Sequence, residues 1–250
     1  MYSRRDIIGE VKKQLAIDFN CKISDFDRKE NIITTSRHNE GRREYIEGVH
    51  FYSMVTLGDN AVISADERMH EWLEEYIYGK MGVWLFEHHN LIEIENELKR
   101  YGQKLWQSHH MFLPKPKFTD TKVNFELQWF EQEDIQKLYG AGEYSNALCE
   151  GFNPKRPDVL AVAAIIDNKI AGLAGCSADT KIMWQIGIDV REEYRSMGIG
   201  ATLVALLKNE ILRRGYIPFY GTSLSNLHSW NIALKCGFYP AWIEIETFGK

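Results

Sequence analysis

The chain has 250 residues, of which 44% are hydrophobic, and a formal net charge of −5 at pH 7. This length suffices for one large core or two moderate ones, and the negative charge gives no electrostatic reason to expect a nucleic acid or an anionic membrane as partner. No stretch approaches the roughly 18 consecutive apolar residues of a membrane-spanning helix, and the opening residues do not resemble a signal peptide. We therefore expect a cytoplasmic protein without a membrane partner.

Residues 1–112 predict a separate α+β domain. Apolar residues at helical spacing indicate an opening helix, and two strands are expected around a turn at Gly58-Asp59-Asn60. The helix carries Ile7, Ile8, Val11 and Leu15, and the strands are expected at 49–57 and 61–63. Two capping boxes predict two further helices. The boxes are Ser64 to Glu67 and Asn90 to Glu93. No motif in this region indicates a function.

A linker is predicted at residues 113–117, which read Leu-Pro-Lys-Pro-Lys. Alternating prolines favour an extended backbone, and the lysines keep it solvated. The predicted division is therefore an N-terminal domain at 1–112 and a second domain at 118–250.

The second domain is predicted to alternate strands and helices. Its buried hairpin turns at Asp167-Asn168-Lys169, and a short helix is expected to include Ala147 and Leu148. The other expected elements are a strand at 123–130, a helix from Glu131 to Leu138, hairpin strands at 159–166 and 170–176, a strand at 181–190, a helix after Gly200, a strand at 217–220, a helix from Asn226 and a last strand at 242–248.

The stretch 190–203 has the sequence of a phosphate-binding loop. Gly198 and Gly200 lack Cβ atoms, so a ligand can approach the backbone, and the first amides of the following helix have no intrahelical partners. Arg195 adds a positive charge. A dinucleotide fingerprint fits less well because Leu203 stands where it needs a small residue, and the Gly-Lys-Ser/Thr of a nucleotide P-loop is absent. A tight turn that binds no ligand is the remaining alternative.

A second motif begins at Asn226 and ends at Cys236-Gly237-Phe238. Asn226 can cap the helix or bind a ligand, and Ser229 lies one turn further on. Gly237 is suited to the left-handed conformation that ends many helices. The spacing therefore predicts a helix from 226 to 236.

Together these motifs resemble two motifs of the GNAT superfamily of acetyl-CoA-dependent N-acetyltransferases. Arg195-x-x-Gly198-x-Gly200 resembles motif A, and Asn226, Ser229, Gly237 and Phe238 match the spacing of motif B. The resemblance covers the C-terminal half of the chain. It implies an α+β fold with a mixed, mainly antiparallel sheet flanked by helices, beside the separate N-terminal domain.

The resemblance also implies acetyl-CoA as cosubstrate, with the pyrophosphate on the glycine loop and the thioester aligned by the preceding strand. The implied cofactor-binding residues are Ile188, Asp189, Val190, Arg195, Ser196, Met197, Gly198, Ile199, Gly200, Ala201, Asn226 and Ser229. The implied activity is acetyl transfer to a primary amine of a small molecule or peptide, by direct attack in a ternary complex. The acceptor and the oligomeric state, including a homodimer, stay open.

Two departures from the family pattern concern catalysis. Many members carry a Tyr seven residues after the Asn, where this chain has Ala233, and several carry a Glu on the strand before the loop, where this chain has Gln185. Gln cannot act as a base. The candidates for proton transfer are Asp189, His228 and Glu244, with Glu143 and Glu150 as further candidates. The alternative function is a catalytically weak, GNAT-derived module that binds CoA or regulates.

No metal site is predicted. The two histidine pairs, His88-His89 and His109-His110, consist of adjacent residues whose side chains diverge on a helix or a strand. The four cysteines are dispersed and form no Cys-x-x-Cys pair, which favours reduced core thiols.

Overall fold

The computed structural model describes residues 2–45, 48–140 and 142–248. The chain forms two compact units. The C-terminal unit comprises residues 1–7 and 112–240, and the N-terminal unit comprises residues 8–111 and 241–250. Both units combine helices with mostly antiparallel strands, so the predicted α+β class is confirmed.

The regular elements are given in chain order. In the first half of the chain they are α1 (Arg4–Asp18), β1 (Ile32–Thr35), β2 (Tyr52–Thr56), β3 (Ala61–Ala65), α2 (His70–Ile77), α3 (His88–Lys99) and β4 (Leu105–Pro114). In the second half they are β5 (Glu126–Glu131), α4 (Gln132–Ile135), β6 (Asp158–Ile166), β7 (Lys169–Ala178), β8 (Met183–Val190), α5 (Ile199–Arg213), β9 (Ile217–Ser223), α6 (Leu227–Lys235) and β10 (Phe238–Thr247). Short 3₁₀ helices lie at Ile23–Asp27, Glu67–Met69, Gly82–Phe86, Gln136–Leu138 and Glu192–Tyr194.

In the N-terminal unit the strands follow the order β1, β3, β2, β10. β1 pairs with β3 in parallel, and β2 pairs with both β3 and β10 in antiparallel fashion. The core forms where the apolar stripes of α2 and α3 cover β2 and β3, because each stripe can leave water only against another apolar face. Its fully buried members include Tyr52, Ile63, Leu73, Ile94 and Leu98.

In the C-terminal unit the strands β5, β6, β7 and β8 form antiparallel neighbours, and β9 adds to β8 in parallel. Side chains alternate between the two faces of each strand. One set packs under α5 and α6, where Val162, Ala174 and Leu203 are buried. The other set packs under α4 and the chain around residue 148, where Leu173 is buried. The sheet of this unit is therefore covered on both faces.

Local chemistry accounts for the predictions that hold in this unit. The hairpin of β6 and β7 turns at Asp167 and Asn168, both left-handed with φ of 50° and 59°, as a two-residue turn requires. Asn226 caps α6, since its side-chain oxygen accepts a hydrogen bond from the Ser229 amide at 3.1 Å. This is one of the two roles that the sequence allowed for Asn226. Gly237, with φ of 78°, ends that helix.

Both predicted capping boxes of the N-terminal unit are wrong. Ser64 lies inside β3, and the residue that caps the next 3₁₀ helix is Asp66, whose Oδ1 accepts from the Arg68 amide at 3.1 Å. α3 already begins at His88, and Asn90 lies within it, where its side-chain amide donates to the Trp84 carbonyl at 2.7 Å. Both positions have tertiary partners that a local pattern does not show.

The predicted division of the chain differs from the structure in two places. Leu113 and Pro114 form the end of β4, and the Lys115 amide donates to the Gly237 carbonyl at 2.8 Å, so this stretch is not a free linker. Residues 241–250 group with the N-terminal unit instead of with 118–240, since Ile243 to Glu246 of β10 pair with β2. Strand pairing therefore overrides chain order.

The predicted short helix at Ala147 and Leu148 is absent, and these residues form a turn. β1 and β4 were not predicted as strands; their residues are mixed in polarity and lack a regular alternation. Within the ranges described, no helix combines the length and the apolar character needed to cross a membrane.

Candidate active site

An opening between two parallel strands lies at the centre of the C-terminal unit. β8 and β9 pair from Met183 with Ile217 to Ile186 with Tyr220, and the pairing then stops although both strands continue. β8 stays paired with β7 as far as Val190. The other edge of β8 therefore carries backbone groups that β9 does not satisfy after Ile186, and these groups can bind an extended ligand.

The glycine loop lies directly after this open edge. The chain passes through a 3₁₀ turn and reaches Gly198, the residue before α5, which is left-handed with φ of 80°. Ser196 is also left-handed, with φ of 65°. Within the chain that the structure describes, the backbone amides of residues 196–201 donate to no backbone carbonyl, and the first such bond is from Thr202 to Gly198. Unpaired amides at a helix start attract anions.

The two glycines of the loop differ in backbone conformation and in surroundings. Gly198 adopts a backbone conformation that side chains disfavour, and the space beside it is open. Gly200 is buried between α6 and β8, where a Cβ would meet side-chain atoms of Ile232 and Val190 at 3.4 Å, an ordinary van der Waals distance. Arg195 is exposed, and its Nε donates to the Val190 carbonyl at 3.3 Å, which ties the loop to the strand end.

The start of α6 faces β9. The side chain of Ser229 interacts with the hydroxyl of Tyr220, a residue whose pKa is raised by burial. Ala233, one turn after Ser229, is fully buried in the core below α5 and α6. Position 233, where the resemblance implies a Tyr, therefore holds a small residue inside the core. The hydroxyl of Tyr220 lies near the start of α6.

Asp189 holds a loop, residues 142–149, against the sheet. Its Oδ2 accepts from the backbone amides of Asn146 and Ala147 at 2.8 and 2.9 Å, and its Oδ1 accepts from the side-chain amide of Asn146 at 2.6 Å. The loop lies so close that a Cβ at Gly187 would be 1.8 Å from the Asn146 carbonyl oxygen, and one at Gly175 would be 2.3 Å from the Ala147 oxygen. These two glycines are paired across β7 and β8.

Sequence reasoning missed this anchored loop. The available signal was the pair of glycines inside strands, since a glycine in a strand often marks the close approach of another backbone. A short helix that includes Ala147 and Leu148 was predicted there instead.

Residues 122–238 match the model of the Acetyltransferase (GNAT) family. These residues form a GNAT acetyltransferase domain. They include the open edge of β8, the glycine loop and α6, so the resemblance found in the sequence is confirmed.

Solved structures are similar to the chain at low identity. A GNAT-family putative acetyltransferase from Novosphingobium aromaticivorans is 15% identical, with a TM-score of 0.47, over 60% of this chain and 68% of that one. A GCN5-related N-acetyltransferase-like protein from Streptococcus suis is 19% identical, with a TM-score of 0.47, over 65% and 69%. A functionally unknown protein from Staphylococcus epidermidis is 13% identical, with a TM-score of 0.48, over 83% and 93%. No curated protein matches this chain.

The GNAT domain brings two of the three predicted proton-transfer candidates to the region of the opening. Asp189 lies on the open strand, with its carboxylate used by the 142–149 loop, and His228 is exposed in the first turn of α6. Of the further candidates, Glu143 pairs with Arg191 at 2.7 Å and Glu150 is exposed. All four residues stay predictions as catalytic groups.

Glu244 lies outside the GNAT domain, in the N-terminal unit, where it is buried. It accepts from Arg43 Nη2 at 2.9 Å and from Trp242 Nε1 at 2.9 Å, and Arg43 also binds Asp18 at 2.6 Å. Burial alone would raise the pKa of Glu244, but the charge and hydrogen bonds of Arg43 outweigh burial and lower that pKa. A carboxylate with a lowered pKa is a poor general base, so this geometry favours a structural role.

Proposed function

We propose that the GNAT domain binds acetyl-CoA and transfers its acetyl group to a primary amine by direct attack in a ternary complex. The observation that carries this proposal is the run of unpaired amides at residues 196–201 beside the open edge of β8. The amides are suited to a pyrophosphate, and the open strand edge is suited to an extended chain that carries a thioester. A single molecule of acetyl-CoA has both parts.

The proposed binding follows the elements in order. The pyrophosphate would bind the amides of 196–201, where the dipole of α5 and the charge of Arg195 favour an anion. The open backbone of residues 188–190 would hold the pantetheine arm and the thioester. Asn226 and Ser229 would border the sulfur end of the cofactor from the first turn of α6. Metal ions have no part in this proposal.

The chemistry requires one proton to move from nitrogen to sulfur. The attacking nitrogen forms a bond to the acyl carbon, the bond from carbon to sulfur breaks, and the proton lost by nitrogen ends on the CoA thiolate. Because a primary amine has a pKa of about 10, it must lose a proton before it attacks. We propose that this first proton passes through water to the bulk solvent, separately from the second proton, which ends on sulfur. Most of the acceleration then comes from positioning and from polarisation of the thioester carbonyl.

A second candidate is a CoA-binding or regulatory module with little turnover. It is favoured by Ala233, which is buried where many relatives carry an acid, and by Asp189, whose carboxylate already accepts three hydrogen bonds. The two candidates share the cofactor and differ in turnover.

Thermal unfolding with acetyl-CoA, CoA and ATP in parallel tests the cofactor. A ligand at a hundred times its dissociation constant should stabilise the folded state by about 2.7 kcal/mol. We expect a shift with both CoA species and none with ATP. No shift with either CoA species would reject both candidates.

Release of free thiol in the presence of acetyl-CoA and a panel of amines then separates the two candidates. The panel should contain amino sugars, polyamines, amino acids and peptides with a free N-terminus. Turnover with one class supports the transferase. Binding of CoA without turnover on the whole panel supports the module.

A further inference from the structure

Two carboxylates hold the 142–149 loop. Asp189 binds the amides of Asn146 and Ala147, within the loop. At the C-terminal end of the loop, Asp158 accepts from the Cys149 amide at 2.9 Å and from the Tyr139 hydroxyl at 2.9 Å. Asp158 is buried, whereas Asn146 is exposed. One anchor is thus internal, and the other lies where the loop meets solvent.

The part of the loop that Asp189 holds borders the opening between β8 and β9. Ile186 is the last residue of β8 that pairs with β9. The backbone of Asn146 packs directly on the next residue, Gly187. Ile186 and Ile188 pack towards α5 and α6. Gly187 and Asp189 therefore belong to the opposite face. The opening has the cofactor loop on one side of the sheet and Asn146 on the other.

The orientation of the Asn146 side chain follows from its partner. An ionised carboxylate only accepts hydrogen bonds, so the Asn146 nitrogen must face Asp189 and the carboxamide oxygen must point away. In the part of the chain with described coordinates, this oxygen accepts no hydrogen bond. Asp189 thus uses the donor half of an exposed amide and leaves its acceptor half at the edge of the opening.

We infer that the carboxamide oxygen of Asn146 accepts a hydrogen bond from the attacking amine, and that Asp189 is the positioning residue that orients Asn146. This inference rests on the proposed function. A neutral primary amine has two N–H groups and one lone pair, and a bond from one N–H to a fixed acceptor leaves the lone pair free to face the thioester. A carboxamide carries no charge, so it holds the amine without favouring the unreactive ammonium form as a carboxylate would.

The test compares Asn146→Ala with Ser145→Ala in the full chain. Both residues are exposed neighbours on the same loop, so both variants should fold. With saturating acetyl-CoA and the best amine of the panel, we expect Asn146→Ala to lower kcat/KM for the amine about 3- to 10-fold, the size of one hydrogen bond. Ser145→Ala should change it less than twofold. The dissociation constant for CoA should stay within twofold in both variants.

A second comparison separates positioning from stability. Asp189→Asn keeps one oxygen for the two backbone amides but places an NH2 group where Oδ1 accepted from the Asn146 side chain, so that side chain must turn. Asp158→Asn replaces a charged acceptor with a neutral one and so weakens the anchor at Cys149. Asp189→Asn should lower kcat/KM for the amine about 3- to 10-fold, as Asn146→Ala does, with CoA affinity retained. Asp158→Asn should lower the melting temperature but leave kcat/KM for the amine within twofold.

Two results would overturn the inference. If Asn146→Ala keeps the full kcat/KM for the amine, its oxygen does not bind the acceptor, and the proposed transferase function still stands. If Asp158→Asn and Asp189→Asn lower kcat/KM equally, the loop acts only through stability. A wild-type chain that acetylates no amine would instead remove the proposed function, and this inference with it. Should Asp189→Asn fail to fold, the comparison of Asn146→Ala with Ser145→Ala decides alone.

Discussion

The ammonium group of Lys208, a fully buried residue of α5, donates a hydrogen bond to the side-chain hydroxyl of Thr119. Thr119 in turn donates to the Cys236 carbonyl at 2.8 Å. Asn209, the next residue of α5, accepts from the Thr119 amide at 3.0 Å and donates to its carbonyl at 2.9 Å. The helix that begins at the glycine loop is thereby tied to the segment before β5 and to the end of α6.

The stability of the protein should depend on the protonation of Lys208. Burial lowers the pKa of Lys208 from its ordinary value of 10.5 to about 8. Between these two values the unfolded chain binds more protons at this residue than the folded chain, so the contribution of Lys208 to stability increases as pH rises from about 8 towards 10. Urea unfolding of the wild type and Lys208→Met from pH 7 to 10 should show the wild type gaining on the variant. A constant difference would contradict the lowered pKa.

Gly198→Glu should abolish CoA binding. The substitution places a carboxylate beside the unpaired amides of residues 196–201, where it occupies the proposed phosphate site and repels a phosphate. We therefore expect the affinity for CoA, measured by calorimetry, to fall at least about 100-fold. Gly215→Glu is the matched control. Gly215 follows α5, has φ of 85° and also has open space beside it. Both variants should lose about 1–2 kcal/mol of stability from backbone strain, but Gly215→Glu should bind CoA normally.

The assignment of the phosphate site would be wrong if Gly198→Glu bound CoA with unchanged affinity. Equal losses of affinity in the two glycine variants would point to helix destabilisation as the common cause.

Gly187→Ala should destabilise the GNAT domain strongly. The new methyl group would overlap the Asn146 carbonyl oxygen, which lies 1.8 Å from the ideal Cβ position, so the loop must move away from the sheet. We expect the free energy of unfolding to fall by about 3 kcal/mol, as for overpacked core positions. Gly151→Ala, a site with open space, should stay within about 0.5 kcal/mol of the wild type in the same urea titration. Equal stability of the two variants would show that the loop is not pressed against β8.

Glu244→Gln should lower the stability of the N-terminal unit. It leaves the buried guanidinium of Arg43 with Asp18 as its remaining carboxylate partner, and removing one member of a buried ion pair costs about 3 kcal/mol. Glu131→Gln, which breaks the exposed pair with Arg214, should cost less than about 1 kcal/mol. Thermal unfolding of the two variants gives the comparison. If Glu244→Gln kept its stability and lost acetyl transfer, Glu244 would be supported as a proton-transfer group.

Local patterns made much of the GNAT domain predictable. The turn at Asp167 and Asn168, the cap at Asn226 and the left-handed glycines depend on neighbours within a few residues, so the sequence shows them directly. The strands that alternate against one core were found for the same reason. β4 was missed because its ten residues mix tryptophan, histidine and serine without a period of two.

The roles of the acidic residues could not be predicted in the same way. A carboxylate acts as a base, an anchor or half of an ion pair according to the donors that surround it, and these donors lie far away along the chain. Asp189 meets Asn146 across 43 positions, and Glu244 meets Arg43 across 201. The same applies to strand pairing, which places residues 241–250 in the unit formed mainly by residues 8–111.

The sequence by itself determined the glycine loop at 195–200, the helix cap after β9 and the GNAT resemblance of the C-terminal half, because glycine conformations, capping side chains and motif spacings are local properties of the chain. Only the tertiary structure decided that Asp189 anchors a loop, that Glu244 belongs to a buried ion pair and that Asn146 lies beside the opening between β8 and β9. These assignments depend on contacts between distant residues, and such contacts exist only once the strands have paired and the core has closed.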